Sequence, residues 1–336
     1  MLNDKITVGL LLGGASSERA VSKLSAKGVL KALIALGYSV VLIDPAYGKN
    51  QPKAESEYFS ECDCSPILSS NYIEAINSNL FDGVDIVFNA LHGSWGEDGK
   101  VQSLLEFKKI PYTGSGILAS AASMDKHIAK SIIKHSGVST ANWLLIERSS
   151  FNFEETQKIV DEKLHFPVVV KPNNQGSAIG LSICKDVNEL EEGITLAFQF
   201  AKNVLIEQYI KGHEVTIGII GNQILPVLEI KPKNEYYDYE CKYTSGMSEY
   251  EVPAKFSNEV CTLLQNQALL AYNSVGCKNY GRIDFVLDKK LKPYCLEINT
   301  LPGLTNTSLL PKAALADGIS FEQLIDRIIK TSLNDL

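Results

Sequence analysis

Gly281-Arg282-Ile283-Asp284, followed by Cys295-Leu296-Glu297-Ile298-Asn299-Thr300-Leu301-Pro302-Gly303, is the stretch from which the fold is read. Each half has the form of a short strand with polar residues two apart. Side chains two apart on a strand share a face, so Arg282 projects with Asp284 and Glu297 projects with Asn299. Asp288-Lys289-Lys290-Leu291-Lys292-Pro293 reads as the turn between them. A turn centred near Lys290 and Leu291 sets Asp284 opposite Glu297 and Arg282 opposite Asn299. Two carboxylates, an amide oxygen and a guanidinium then crowd one patch. Carboxylates that close repel, and an all-oxygen set suits Mg²⁺, which takes one or two carboxylates and leaves positions for water and phosphate. The same pattern also fits a hairpin with a solvated polar face.

The chain has 336 residues, enough for two or three domains. Its 45% apolar and 21% charged residues are ordinary for a globular protein. A net charge of −7 argues against nucleic-acid or membrane-surface partners. No apolar run approaches the roughly 20 residues of a membrane span. Ile6–Leu12 is too short to span, lacks a following cleavage site, and reads as a first buried strand. Seven cysteines without framework spacing fit free thiols and a reducing cytoplasm.

Working outward, the first third alternates strand and helix: Ile6–Leu12, a helix over Arg19–Leu36, Ser39–Ile43, a loop over 48–68, a helix over Ile73–Leu80, and Val84–Ala90. This βαβαβ order predicts an open parallel sheet. Residues 117–136 read as an Ala- and Ser-rich helical stretch. Strands are expected at 166–171, 181–184 and 203–209, with a helix from Asp186 to about Ala201. A hairpin pairs Val215–Ile220 with Ile224–Ile230 around Gly221-Asn222. A helix over Ser257–Val275 and helices near 309–317 and 320–332 complete the chain. The expected divisions are 1–114, 115–210 and 211–336.

Several clusters carry possible chemistry. The loop 172–180 joins two strands; Gly176 and Gly180 allow close backbone approach, Ser177 adds a hydroxyl, and backbone N–H groups there can cradle phosphate. It matches neither the P-loop nor the dinucleotide fingerprint. Lys126 and Lys171 are candidate phosphate cations, though lysines are mostly solvated. Glu207 and Glu214, at the ends of apolar strands, could accept from adenine or ribose, with backbone groups of Gln208, Tyr209 and Ile210 along the adenine edge. Ligands of open α/β sheets lie beyond strand carboxyl ends. Glu18, after Gly13-Gly14, and His92, after the third strand, could therefore face one pocket, although Glu18 also fits a plain first-turn helix acid and a histidine in a glycine turn is often only structural.

In this order, Gly13-Gly14 to Glu18, His92-Gly93 with Gly96-Glu97-Asp98-Gly99, Met124-Asp125-Lys126, Lys171-Pro172, Gly176-Ser177, Tyr237-Asp238-Tyr239 with Lys242-Tyr243, the Arg282/Glu297 hairpin, Pro302-Gly303 and Thr307-Ser308-Leu309 closely resemble the D-alanine–D-alanine ligase family of ATP-grasp carboxylate–amine ligases. The resemblance runs along almost the whole chain. It implies an ATP-grasp α/β fold: an N-terminal open parallel domain and two α+β domains clamping ATP. It implies two Mg²⁺ ions, with Mn²⁺ able to substitute, on Asp284, Glu297 and Asn299. ATP would be held by Lys126, Lys171, Gly176, Ser177, Glu207, Gln208, Tyr209, Ile210, Glu214 and Lys242. Glu18 would bind the ammonium of the first D-alanine, His92 would line the substrate site, and Ser308 and Leu309 would hold the carboxylate of the second. Arg282 and the Gly303 N–H would stabilise an oxyanion, and the segment 233–253 would close as a lid bringing Tyr243 toward Ser177 and Glu18. A homodimer and a role in peptidoglycan precursor synthesis follow from the same resemblance. Two departures, Ala178 where many members have a second serine and Gln175 where an acid is common, bear on phosphate contacts. The alternatives are a D-lactate or D-serine ligase, which Tyr243 disfavours; a silent ATP-binding module, which the presence of Arg282, Asp284, Glu297 and Asn299 disfavours; and a dinucleotide-dependent oxidoreductase, which the missing GxGxxG disfavours.

Overall fold

The computed structural model describes residues 6–233, 246–305 and 307–334. Three sheets organise them. Near the N-terminus, β1 (Thr7–Leu11), β2 (Ser39–Ile43) and β3 (Ile86–Asn89) form a parallel sheet in the order β2-β1-β3. Leu11 pairs with both Ile43 and Asn89, so the strands end level. The glycine turn after β1 and the His92 loop after β3 therefore open on one edge, as the alternating pattern predicts. The helix Arg19–Ala35 covers the sheet by burying Ala26, Val29, Leu30 and Leu33. On the same core lie the helices Leu309–Ala316 and Phe321–Asn334, which contribute Leu310, Ala313, Leu324 and Ile328. The start and the end of the chain thus share one apolar interior.

The middle sheet is antiparallel: β4 (Trp143–Glu147), β5 (Val168–Pro172), β6 (Ser182–Cys184) and β7 (Asn203–Gln208), in the order β4-β7-β5-β6. The helix Val187–Phe200 backs it, with Asp186 accepting from the N–H groups of Asn188 and Glu189. This is the cap expected of an aspartate at a helix start. The third sheet carries β8 (His213–Ile220), β9 (Gln223–Ile224), β10 (Leu228–Pro232), β11 (Ser248–Glu251), β12 (Tyr280–Leu287) and β13 (Pro293–Asn299), ordered β11-β10-β8-β12-β13, with β9 paired to β8. The helix Asn258–Ser274 lies against it through Leu264, Ala268 and Ala271.

Four local expectations change. The stretch 117–136 is two helices, Ile117–Met124 and Lys126–His135, because Asp125 leaves helical geometry (ψ 102°) to accept from the Ile128 N–H. Both pack Ala119 and Ile133 into the core of the third sheet, while Lys130 of the second reaches Glu207 of the middle sheet. The second strand of the 215–230 hairpin is interrupted between β9 and β10, where Pro226 has no N–H to give a ladder. Finally, β4 and the helix Phe153–Ile159 occupy a region that the sequence pattern left unassigned.

Candidate active site

The hairpin β12–β13 forms the floor of the site. Its register pairs Asp284 with Glu297 and Arg282 with Asn299, as the alternation of polar residues predicts. A bulge beyond Asp284 sets Phe285 opposite Cys295, and such a bulge re-aims side chains without ending the strand pair. Arg282 holds Asp284 in a two-pronged contact, Nε to Oδ1 at 2.9 Å and Nη2 to Oδ2 at 2.8 Å. Asn299 Nδ2 donates to Asp284 Oδ2 at 3.0 Å, and Thr216 Oγ1, from the neighbouring β8, donates to Oδ1 at 2.5 Å. The Asp284 carboxylate is thereby fixed in direction. Glu297 Oε2 lies 3.6 Å from Lys126 Nζ. The donor set, two partly exposed carboxylates and an amide on one face, fits a hard divalent cation that keeps water and phosphate as its other ligands. Among the described residues no group of three or more His, Cys, Asp or Glu is arranged to hold a metal ion by itself.

Between the middle and third sheets lies a cavity whose walls include Lys126, Lys171, Glu207, Gln208, Tyr209, Ile210, Glu214, Asp284 and Glu297. Its apolar flanks, Val169, Ile183, Ile230, Phe285 and Leu296, suit a flat aromatic base, and its polar end suits phosphates. Glu207 differs from the solvated strand-end acid that sequence permits: it is 3% exposed. It binds Lys130 Nζ through Oε2 at 2.7 Å and Lys171 Nζ through Oε1. Burial alone would raise this carboxyl, but the two lysines overrule it and hold it at about 2. Lys130, 1% exposed, is not among the residues that the sequence pattern singles out. The one signal was its position four residues after Lys126, on the same face of a helix. The Gln208 N–H is spent on Asn142 O and the Tyr209 N–H on Pro167 O. Along 208–210, N–H donation toward a base therefore falls to Ile210.

A second cavity adjoins the first and is walled by Glu18, His92, Gly176, Ser177, Arg282, Asn299, Gly303, Ser308 and Leu309; Glu297 lines both. Glu18 stands at the start of the helix Arg19–Ala35, its N–H donating to Ser16 Oγ at 3.1 Å. The loop after β5 descends on it: the Ser177 hydroxyl donates to Glu18 Oε1. A Cβ on Gly176 would meet Glu18 Oε2 at 3.0 Å, so a side chain there would press on the Glu18 carboxylate. Lys126 Nζ anchors the same loop through Gln175 O at 2.7 Å. Ser177 and Ala178 both take positive φ, 53° and 57°, an unusual pair for residues with a Cβ.

His92 enters the wall with both ring nitrogens engaged, Nδ1 with Glu97 Oε1 and Nε2 with Ser25 Oγ, each at 3.0 Å. A direct substrate contact would have to replace one of them. Burial pushes the Glu97 carboxyl up against the pull of His92. At the far end Ser308 precedes the helix Leu309–Ala316, its Oγ accepting from the Thr305 N–H at 3.0 Å. A Cβ on Gly303 would meet that oxygen at 2.9 Å. The helix N-terminus faces the cavity, a favourable seat for a carboxylate. Tyr243 and Lys242, expected in the lid, lie outside the described residues.

Comparison with known proteins agrees with this geometry. Residues 7–115 match the family model described as D-ala D-ala ligase N-terminus, and residues 132–330 match D-ala D-ala ligase C-terminus. The chain is 40% identical to the D-alanine–D-alanine ligase of Syntrophotalea carbinolica over 96% of this chain and 94% of that protein. Among solved structures, the D-alanine–D-alanine ligase of Bacillus anthracis complexed with ATP aligns with TM-score 0.78 at 33% identity, covering 99% of this chain and 98% of that one. The VanG D-Ala:D-Ser ligase of Enterococcus faecalis aligns with TM-score 0.82 at 27% identity, covering 98% and 100%. With both halves matched and relatives at this identity along nearly the full length, the chain belongs to the D-alanine–D-alanine ligase family.

Proposed function

We propose that the protein joins two D-alanine molecules into D-alanyl-D-alanine with conversion of ATP to ADP and phosphate. The observation that carries this reading is Glu297, which lines both the lysine-walled cavity and the small-substrate cavity. A group there can act on the γ-phosphate and on the acceptor carboxylate together.

A carboxylate is a poor acyl donor, so it must first be activated. An oxygen of the first D-alanine attacks the γ-phosphorus, forming an O–P bond as the bond to the β-bridging oxygen breaks and ADP leaves. Lys171 and Lys126 take up phosphate charge. Mg²⁺, two ions of it on Asp284, Glu297 and Asn299, would supply further neutralisation of the phosphate oxygens, with Mn²⁺ able to replace it. The amine of the second D-alanine then attacks the acyl carbon. A C–N bond forms and the carbonyl oxygen becomes an oxyanion; as the oxyanion collapses the C–O bond to phosphate breaks, and the departing phosphate takes the proton that the amine gives up. Arg282 and the Gly303 N–H are the proposed oxyanion donors. Glu18 pairs with the ammonium of the first substrate. Ser308 and the N–H of Leu309 receive the carboxylate of the second. Ser177 and Tyr243 orient the incoming amine, and closure of the segment that carries Tyr243 and Lys242 keeps water from the acyl phosphate. A cytoplasmic homodimer serving cell-wall precursor synthesis completes the proposal, in line with the bacterial relatives.

The alignment with a D-Ala:D-Ser ligase supports a second reading, in which D-serine is the second substrate. ADP release should be followed with ATP, Mg²⁺ and D-alanine, and in parallel with added D-serine or D-lactate, with products identified by mass. D-alanine-dependent ADP and the D-alanyl-D-alanine mass are expected. A dominant D-alanyl-D-serine product would transfer the assignment, and no ADP in any mixture would overturn it.

A further inference from the structure

Two lysines share one buried carboxylate at the polar end of the cavity between the sheets, and they are not equivalent. Lys130 is almost sealed from solvent and does not line the cavity. Its Nζ donates to Glu207 Oε2 and to Thr140 Oγ1, each at 2.7 Å. Thr140 spends its own hydrogen on Cys295 O at 2.8 Å, so its oxygen can only accept from Lys130. The Trp143 ring lies 5.2 Å from the same ammonium. Lys130 is thus fixed from several sides. Lys171 holds the other oxygen of Glu207 and faces the cavity.

Burial lowers the Lys130 ammonium against the pull of Glu207; with both lysines protonated, two cations and one anion leave the cluster at plus one. Without Lys130, Lys171 and Glu207 would form a closed neutral pair, and Lys171 would have to break it to meet a phosphate. With Lys130 holding Glu207, Lys171 can turn to the ligand while the buried carboxylate keeps a counter-ion.

We propose that Lys130 is a positioning residue: it neutralises Glu207 from behind so that the full charge of Lys171 is available to the phosphates of the nucleotide. This deepens the proposed function and rests on its ATP assignment. It assigns Lys130 an effect on the phosphate chain and none on the base. A merely structural buried lysine would weaken the whole pocket evenly.

Calorimetric titration of ATP and of adenosine separates these cases, using the wild-type protein, Lys130→Met, Glu207→Gln and the Lys130→Met/Glu207→Gln double variant. In Lys130→Met, ATP affinity is expected to fall roughly ten-fold or more, the loss of one unit charge near phosphate in a partly dry site, while adenosine affinity stays nearly constant. The ratio of ATP to adenosine affinity should rank Glu207→Gln highest, the wild type and the double variant together, and Lys130→Met lowest. Equal losses for both ligands, an unchanged ratio in Lys130→Met, or a double variant that stays low would overturn the proposal. If Lys130→Met does not fold, the ranking of the other three still decides, since a ratio in Glu207→Gln no higher than wild type contradicts it. A wild-type protein that binds neither ligand would instead remove the ATP assignment itself.

Discussion

Ser177 donates its hydroxyl hydrogen to Glu18 Oε1, across 159 positions of sequence. The donor sits on the loop after β5 of the middle sheet and the acceptor at the first helix of the N-terminal sheet. The contact closes one wall of the small-substrate cavity. It also directs Glu18, whose other oxygen packs against Gly93 and Gly176; a Cβ would meet it at 2.5 Å on Gly93 and at 3.0 Å on Gly176.

Ser177→Ala tests whether that direction matters. The variant keeps both positive-φ backbone positions but leaves Glu18 without this donor. A hydrogen bond to a charged acceptor is worth enough that kcat/KM for D-alanine should fall by about ten- to a hundred-fold. Steady-state kinetics with D-alanine varied at saturating ATP give the answer, and wild-type values would remove Ser177 from the mechanism.

Glu297→Gln keeps the size of the side chain and removes its charge. The position lines both cavities and pairs with Asp284 across the hairpin. Turnover at saturating Mg²⁺ should fall on the order of a hundred-fold or more, the scale of losing one electrostatic contributor to a charged transition state. Near-normal turnover would exclude Glu297 from the metal site. The Lys126 contact at 3.6 Å offers a control, since thermal stability should change little.

The hairpin and its register were legible because alternation has a period of two, and a one-residue slip would send Asp284 and Glu297 to opposite faces. The shared edge of Glu18 and His92 was legible for a similar reason, since parallel strands in a βαβ unit end together. In the sequence Asp125 belongs to a motif and shows no break, because a cap depends on one ψ angle that no periodicity records. The interruption at Pro226 had a visible signal in the proline itself. Lys130 had almost none. Its partners Thr140 and Glu207 lie 10 and 77 positions away, and a lysine on an alternately polar helix looks solvated until the sheet behind it is in place.

Glu207 also shapes acid stability. Its carboxyl is held at about 2 against an ordinary 4.5. A group with a depressed folded pKa contributes stability that is fully present above its unfolded value and is lost as pH falls through the folded one. The wild-type protein should therefore lose this contribution progressively between pH 4.5 and 2. Glu207→Gln should be less stable than wild type at pH 7, with the gap closing over that interval. Urea midpoints measured at several pH values test the sign. A gap that widens on acidification would contradict the ion-pair assignment.

Gly212, just before β8, separates steric from conformational demands on glycine. A Cβ there would fall 1.6 Å from the Leu287 carbonyl oxygen and 2.6 Å from its carbon. Leu287 is the residue that pairs with His213 at the end of the β8–β12 ladder, so neither backbone can retreat without loosening the pair that fixes Asp284 beside Thr216. Its φ lies outside the positive range, so the barrier is packing alone. Gly37 is the opposite case, with φ +86° and nothing within 4 Å. Gly212→Ala should cost ~3 kcal/mol or more, at or beyond the upper end of overpacking penalties. Gly37→Ala should cost only about 1 kcal/mol from its left-handed backbone. Urea denaturation of the two variants beside wild type measures both. If Gly37→Ala proved the more damaging, the close approach of β8 to the end of β12 would be wrong, and with it the rigid support of the Asp284 patch.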